Sequence, residues 1–190
     1  MPASPLPPWP VVAPAHGLVL LREVRPDDAA MARELSTDPY VPTIGTLPPH
    51  AGWDEAQAWV ERQRARHAEG AGFSFTVVDA RSATAVGHCG LWLRDLADGR
   101  GTAGYAVVPS ARRRGYATDA LVALTRFGWT MPGLRRITLL VEPWNVASVR
   151  TAERAGYVRD GLLRDHPLTG GARRDVVVLV AEREDRQRGD

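Results

Sequence analysis

The sequence predicts a mixed α/β domain, a central sheet with helices on both faces. Three observations carry this expectation. Strand-like and helix-like patterns alternate through most of the chain. The run Ile137–Val141 is apolar but for Thr138 and of strand length, as suits a central strand covered on both sides. A short arginine-rich stretch, Arg112–Thr118, joins a strand pattern to a helix pattern, punctuated by Pro109 and Gly115.

Taken in order, residues 1–16 carry prolines at positions 2, 5, 7, 8, 10 and 14 and read as an extended, flexible arm. Residues 17–183 read as one domain, and 184–190 as a charged tail. Leu18–Val24 is a strand. Pro26 is pre-set for a first helical turn and opens a helix to about Ser36, with Asp27 and Asp28 at its positive end. Asp38–Gly52, rich in proline and glycine, is a long loop of the kind that often carries function. Trp53–Glu69 is a second helix, stopped by Gly70 and Gly72.

Phe73, Phe75 and Val77 alternate along a strand, Phe73–Asp79. Ala85–Arg94 and Thr102–Val108 are two more, turning at Asp98-Gly99. Tyr116–Thr130 is a helix whose apolar face holds Ala117, Ala120, Leu121 and Leu124. Pro132-Gly133 ends it. Asn145 caps a helix to Ala155, and Gly156 stops that one. Gly161–Arg164 and Val176–Ala181 form a closing hairpin around Gly170-Gly171.

Composition narrows the function classes. The 190 residues, 44% of them hydrophobic, provide for a real core. A net charge of +2 gives no whole-surface nucleic-acid footprint, so no direct nucleic-acid binding is expected. All 24 basic residues are arginine, which excludes a catalytic lysine or Schiff base. Cys89 is the only cysteine, so no intrachain disulfide forms and a reducing, cytoplasmic setting is expected. The histidines lack metal-ligand spacing, and no run is long enough for a membrane span; neither a metal nor a membrane partner is expected. A homodimer stays open.

The informative segment runs from Tyr105 to Thr118. The first amides of a helix lack internal partners and sit at the positive end of its dipole, a natural seat for a phosphate. Gly115 removes a side chain from that seat, and Ala117 keeps the first turn thin. Arg112, Arg113 and Arg114 add positive charge. By itself the segment reads equally well as a solvated basic loop before an amphipathic helix. Dinucleotide and P-loop readings fail, because the glycine spacing differs and no lysine follows.

Arg112-x-x-Gly115-x-Ala117 resembles the acyl-CoA signature of the GNAT acetyltransferase superfamily. Asn145-x-x-Ser148 followed by Gly156-Tyr157 resembles the branch that holds the ribosomal-protein N-terminal acetyltransferases. The likeness covers roughly residues 17–183. It implies a GNAT-like mixed sheet, splayed between two parallel central strands, Thr102–Val108 and Ile137–Val141. It implies acetyl-CoA, or another acyl-CoA, as cofactor. The pantetheine arm would bond near Val107 and Val108, and the amides from Arg113 through Tyr116 to Thr118 would hold the pyrophosphate. The implied activity is acetyl transfer to a primary amine, on a protein N-terminus or a small molecule. A different thioester donor, or a non-catalytic acyl-CoA-binding module, are the alternatives.

Such a transfer asks for a base near the amine and a hydrogen-bond donor near the leaving sulfur. Glu142, at the end of the central strand, is the candidate base; the other reading is a carboxylate that shapes the next helix. Many relatives carry a glutamate two residues before the Gly-Tyr that is here Gly104-Tyr105, but this chain has Thr102. Ser148 is the candidate partner of the sulfur or pantetheine, or else a local capping group. Asn145 is a cap and a candidate pantetheine contact. Tyr40, His88, Trp92 and Trp144 are candidates for the acceptor side, though aromatics are more often core. His88 and Cys89 face opposite sides of a strand and cannot pair as nucleophile and base.

Overall fold

The computed structural model of the chain describes residues 6–167 and 172–183. Eight strands form one sheet: β1 (Ala15–His16), β2 (Val19–Glu23), β3 (Gly72–Asp79), β4 (Ala85–Trp92), β5 (Arg100–Val107), β6 (Arg136–Val141), β7 (Val158–Pro167) and β8 (Arg173–Glu182). Their spatial order is β1-β2-β3-β4-β5-β6-β8-β7. Every neighbouring pair is antiparallel except β5–β6. Four α-helices cover the sheet: α1 (Ala29–Ser36), α2 (Trp53–Ala65), α3 (Tyr116–Gly128) and α4 (Val146–Arg154). The expected mixed α/β sheet is the one found. The turn Gly170-Gly171 lies outside the described residues.

Strand alternation assigns the two faces. Phe73 and Phe75 point to one side, where Phe127 of α3 meets them edge-on at 4.9 and 5.2 Å. Ser74 and His88 point to the other, where α2 supplies Gln63 at 3.5 Å and Trp59 at 5.0 Å between ring centroids. α4 lies on the α3 side; just past its end, the Tyr157 hydroxyl is 2.8 Å from Thr125 of α3. Helices thus cover both faces. Leu21, Leu91, Leu121, Leu124 and Ile137 are fully buried on the α3 side.

Residues 6–16, part of the stretch expected as a proline-rich arm, lead into β1. Trp9 lies edge-on to Phe73 and Phe75 at 5.3 and 5.2 Å, and the Pro7 carbonyl lies 2.8 Å from His67 Nε2.

Helix boundaries follow local chemistry. The α1 region begins as a 3-10 turn, Pro26–Asp28. Asp28 is buried there and accepts from Arg22 Nη1 and Nη2, the Arg25 amide and Thr76 Oγ1. Burial alone would raise its pKa, but these bonds together hold it below the ordinary carboxylate value. α2 ends at Ala65, earlier than the expected Glu69, and a turn follows to Gly70 at φ 69°.

Candidate functional site

The parallel pair β5–β6 is joined over only three register pairs, Arg100↔Arg136, Gly101↔Ile137 and Thr102↔Thr138. Beyond Thr102 the strands part. β5 stays with β4 as far as Gly87↔Val107, and β6 stays with β8 as far as Val141↔Val177. The facing backbone of the two strands is therefore left without ladder partners, which a buried chain does not normally tolerate. The gap opens into a cleft of about 820 Å³. Its walls come from β5, β6, the connection after α1, the loop before α3, and α4.

At one end of the cleft lies a row of free backbone amides. Among the described residues, the backbone amides of 113–118 donate no hydrogen bond. Arg113 has φ 61° and Gly115 φ 93°, left-handed conformations that flank Arg114 and turn successive N–H groups into a concave row. A non-glycine residue held at positive φ marks strain maintained by its surroundings. Asp119, in the first turn of α3, is turned away and accepts from the Leu18 amide at 2.8 Å. Tyr116 anchors the same turn by donating to Asp79, a bond that is the main reason the Asp79 carboxyl falls to about 2.

The three arginines have different duties. Arg112 is committed internally: Nε donates to the Val107 carbonyl at 3.1 Å, and Nη1 pairs with Asp38 at 2.6 Å. Asp38 also accepts from the amides of Tyr40 and Val41, so it ties the long loop to the anion end. Its burial works against ionisation, but these partners keep its pKa below the ordinary value. Arg113 lines the cleft with Arg150 and Arg154 of α4, and among the described residues none of the three forms a salt bridge. Arg114 lines a smaller cavity of about 290 Å³ alongside.

The other end is aromatic. Tyr40 meets Trp144 edge-on at 4.7 Å. Trp144 Nε1 donates to Glu142 Oε2 at 2.6 Å. Burial, followed by the Glu142 charge, raises the Tyr40 pKa. Asn145 Oδ1 accepts from the Ser148 amide at 3.1 Å, the capping bond that starts α4. The Ser148 hydroxyl lies 2.8 Å from that of Tyr105, across the gap from β5.

The cleft thus gathers Tyr40, Val107, Arg112, Arg113, Gly115, Tyr116, Ala117, Thr118, Trp144, Asn145 and Ser148. Several expected contacts need correction. Val108 is buried outside the cleft, its amide donating to the Val86 carbonyl at 3.0 Å. Arg114 points to the neighbouring cavity. His88 is buried beneath Trp59, away from the cleft, and its Nε2 has no partner among the described residues. Trp92 lies against Gly90 and Gly104 with Arg66 stacked 4.7 Å above its ring, and it too lies outside the cleft. Glu142 is only 7% exposed and sits behind Trp144 rather than lining the cleft.

Asp38, Tyr105, Arg150, Thr151 and Arg154 line the cleft and were not singled out from the sequence. Arg150 and Arg154 carry a readable signal, since positions four apart share a helix face. Tyr105 and Asp38 carry none, because both depend on partners remote in sequence. Cys89 is fully buried, and burial pushes its thiol pKa upward, so it is no nucleophile. Among the described residues no helix is long and apolar enough to cross a membrane, and no three metal-ligating side chains cluster.

A sheet parted between two parallel strands, with a helix N-terminus at the mouth, defines an acyltransferase fold. The chain matches the acetyltransferase (GNAT) domain over residues 19–158 and belongs to that family of N-acetyltransferase enzymes. It is 27% identical over 159 residues to the uncharacterised N-acetyltransferase p20 of Bacillus licheniformis, covering 84% of this chain and 89% of that one. The structure of Mycobacterium smegmatis RimJ in complex with CoA-disulfide is similar with a TM-score of 0.74 at 25% identity, covering 94% of this chain and 88% of that one. A ribosomal-protein-S5-alanine acetyltransferase from Vibrio fischeri shares the fold, with a TM-score of 0.72 at 17% identity over 92% of this chain and 98% of that one.

His88 generates a stability prediction. Burial, with the nearby Arg66 charge, lowers its pKa from 6.5 to about 3. Between those values the unfolded chain binds the proton and the folded chain does not, so stability falls as pH drops below 6.5. Replacing the imidazole in His88→Gln removes this term. Urea midpoints measured from about pH 7.5 down to about pH 4.5 are expected to fall less steeply in the variant than in the parent.

Proposed function

We propose that this enzyme moves an acetyl group from acetyl-CoA to a primary amine, on a peptide N-terminus or a small molecule, by direct attack within a ternary complex. The observation that carries this reading is the row of unbonded amides at 113–118, opening onto the unpaired backbone between β5 and β6. The amides and Arg113 suit a pyrophosphate. The unpaired strand edges suit an extended arm that itself carries amides. The CoA-disulfide in the RimJ complex supports the same donor. When bound, acetyl-CoA supplies the activated thioester.

The chain's own residues then have limited work to do. Holding two reactants together removes much of the barrier. Ser148, at the start of α4 and on the cleft wall, offers a hydroxyl to the leaving sulfur. Asp38 is the carboxylate on the cleft wall, and Arg112 already occupies it. Glu142 has no cationic partner among the described residues and accepts only the Trp144 indole. Trp144, whose indole covers Glu142, is itself 61% exposed to solvent. An α-amine, with a pKa of about 8, needs only such modest help. The acceptor preference rests on the Rim-type resemblance and on the neighbour acting on a ribosomal-protein alanine. The buried, unpaired Cys89 suits the cytoplasm as its setting.

Thiol release from acetyl-CoA against a panel of peptide N-termini and small amines tests the reaction. We expect release with an amine and an N-acetyl product by mass spectrometry; stable O-acetyl products alone would overturn it.

Donor placement is tested at Gly115. Asparagine tolerates a left-handed backbone, so Gly115→Asn reads out strain alone, whereas Gly115→Asp adds a negative charge at the anion seat. Calorimetry is expected to give CoA affinity at least about tenfold weaker for aspartate than for asparagine. Equal affinities would move the pyrophosphate elsewhere.

The proton acceptor is tested with Glu142→Gln, which keeps an acceptor for Trp144. Turnover is expected to fall by at least about tenfold, with the loss shrinking at high pH, where free amine forms unaided. CoA affinity and melting temperature should be unchanged. Normal turnover at all pH values would assign the proton to water.

A further inference from the structure

One side chain on the cleft wall has no part in the reaction described above. Tyr105 lies on the stretch of β5 that has lost β6, and its ring reaches across the gap to α4. Its hydroxyl is 2.8 Å from Ser148 Oγ and 3.2 Å from the Ser148 carbonyl. Both Tyr105 and Ser148 line the cleft. We propose that Tyr105 is a positioning residue whose phenol donates to Ser148 Oγ, leaving the serine's own proton to point at the leaving sulfur. The inference rests on the reading of Ser148 given above.

The direction of this bond follows from chemistry. A phenol is far more acidic than an alkyl alcohol, so it is the better donor and the serine oxygen the better acceptor. The Ser148 carbonyl is the competing acceptor, but it is farther away and belongs to the hydrogen-bond ladder of α4. The opposite arrangement would spend the serine proton on Tyr105 and leave none for sulfur. Ser148 is otherwise held only through its backbone: the Asn145 side chain takes its amide and leaves its hydroxyl free to rotate. A serine free to rotate loses orientation that one bond restores. Thr151, the other hydroxyl beside Tyr105, donates to the Ala147 carbonyl at 2.9 Å.

The phenol also remains a donor at the pH values that matter. Burial raises the Tyr105 pKa, partly offset by Ser148 and Thr151. Tyr40, from the connection after α1, and Tyr157, after α4, are the neighbouring titratable groups, and burial raises both. Arg150 and Arg154 of α4 line the same cleft. Over the range where the bound thiol ionises, it is the group that changes, because burial holds the phenols above their ordinary values.

Equilibrium binding tests the proposal without any acceptor. Affinities for CoA and for desulfo-CoA, which lacks the thiol, are measured by calorimetry from neutral pH up through the range in which the thiol of CoA ionises. In the parent, the preference for CoA is expected to rise with pH as the thiolate forms against the Ser148 hydroxyl. Tyr105→Phe keeps the ring and loses the donor, and should cut that preference by about tenfold at high pH, the worth of one hydrogen bond to a charged group. Desulfo-CoA affinity should stay constant, so a general loosening of the fold cancels in the ratio. Ser148→Ala should abolish the preference, Ser148→Thr should retain it, and adding Tyr105→Phe to Ser148→Ala should change nothing more. A full preference in Tyr105→Phe, with Ser148→Ala impaired, overturns the role of Tyr105 alone. A full preference in Ser148→Ala overturns the serine reading and the proposal with it. Failure of the parent to bind either ligand overturns the donor assignment.

Discussion

The parting of β5 from β6 after Thr102 and Thr138 is the constraint around which this molecule is arranged. A sheet gains from closing every ladder, and here two central strands leave theirs open. Each is pulled outward by a partner on its far side. β4 holds β5 to its end, and β8 does the same for β6, so the two halves of the sheet twist away from each other. The open edges then face a cleft instead of the core. An extended ligand that carries its own amides is what such edges lack.

Side chains hold the gap at its chosen width. Arg112 satisfies the Val107 carbonyl and reaches on to Asp38, so one guanidinium joins β5 to the connection after α1. Tyr105 spans to α4. Glu34 of α1 accepts from the Ser110 amide at 2.9 Å, a second tie between α1 and the loop before α3. The loop before α3 and the connection after α1 are therefore mechanically connected. Deeper in, the buried Asp28 joins β2, β3 and the start of α1 through Arg22 and Thr76. Losing one partner there would leave a charge in the core, which costs more than the pair itself contributes.

The sequence was most legible where chemistry is local. Pro109 and Gly115 bracket the loop, Asn145 caps α4, and Gly156 ends it at φ 91°. The run of β6 pairs with β8 along its whole length and with β5 only as far as Thr138. Legibility failed where a residue's role depends on which face it points to and what covers that face. His88 and Trp92 were candidates for the acceptor side as well as for the core, and the strand turns them toward α2. Val108 lies one residue beyond Val107, and that single step carries it out of the cleft. Glu142 ends the expected strand, but Trp144 and Tyr40 cover it.

By itself the sequence determined the alternation of elements, the central strand, the glycine-marked start of α3 and the family resemblance. Each of these is written in periodicity or in a motif of a few neighbouring residues. Tertiary structure alone decided that Arg112 answers Asp38, that Tyr105 meets Ser148, and that Arg150 and Arg154 look into the same cleft as Arg113. These pairings join residues 74, 43 and about 40 positions apart, and no local rule encodes them. They exist because the sheet parts where it does, bringing a strand edge and a helix face to opposite walls of one gap.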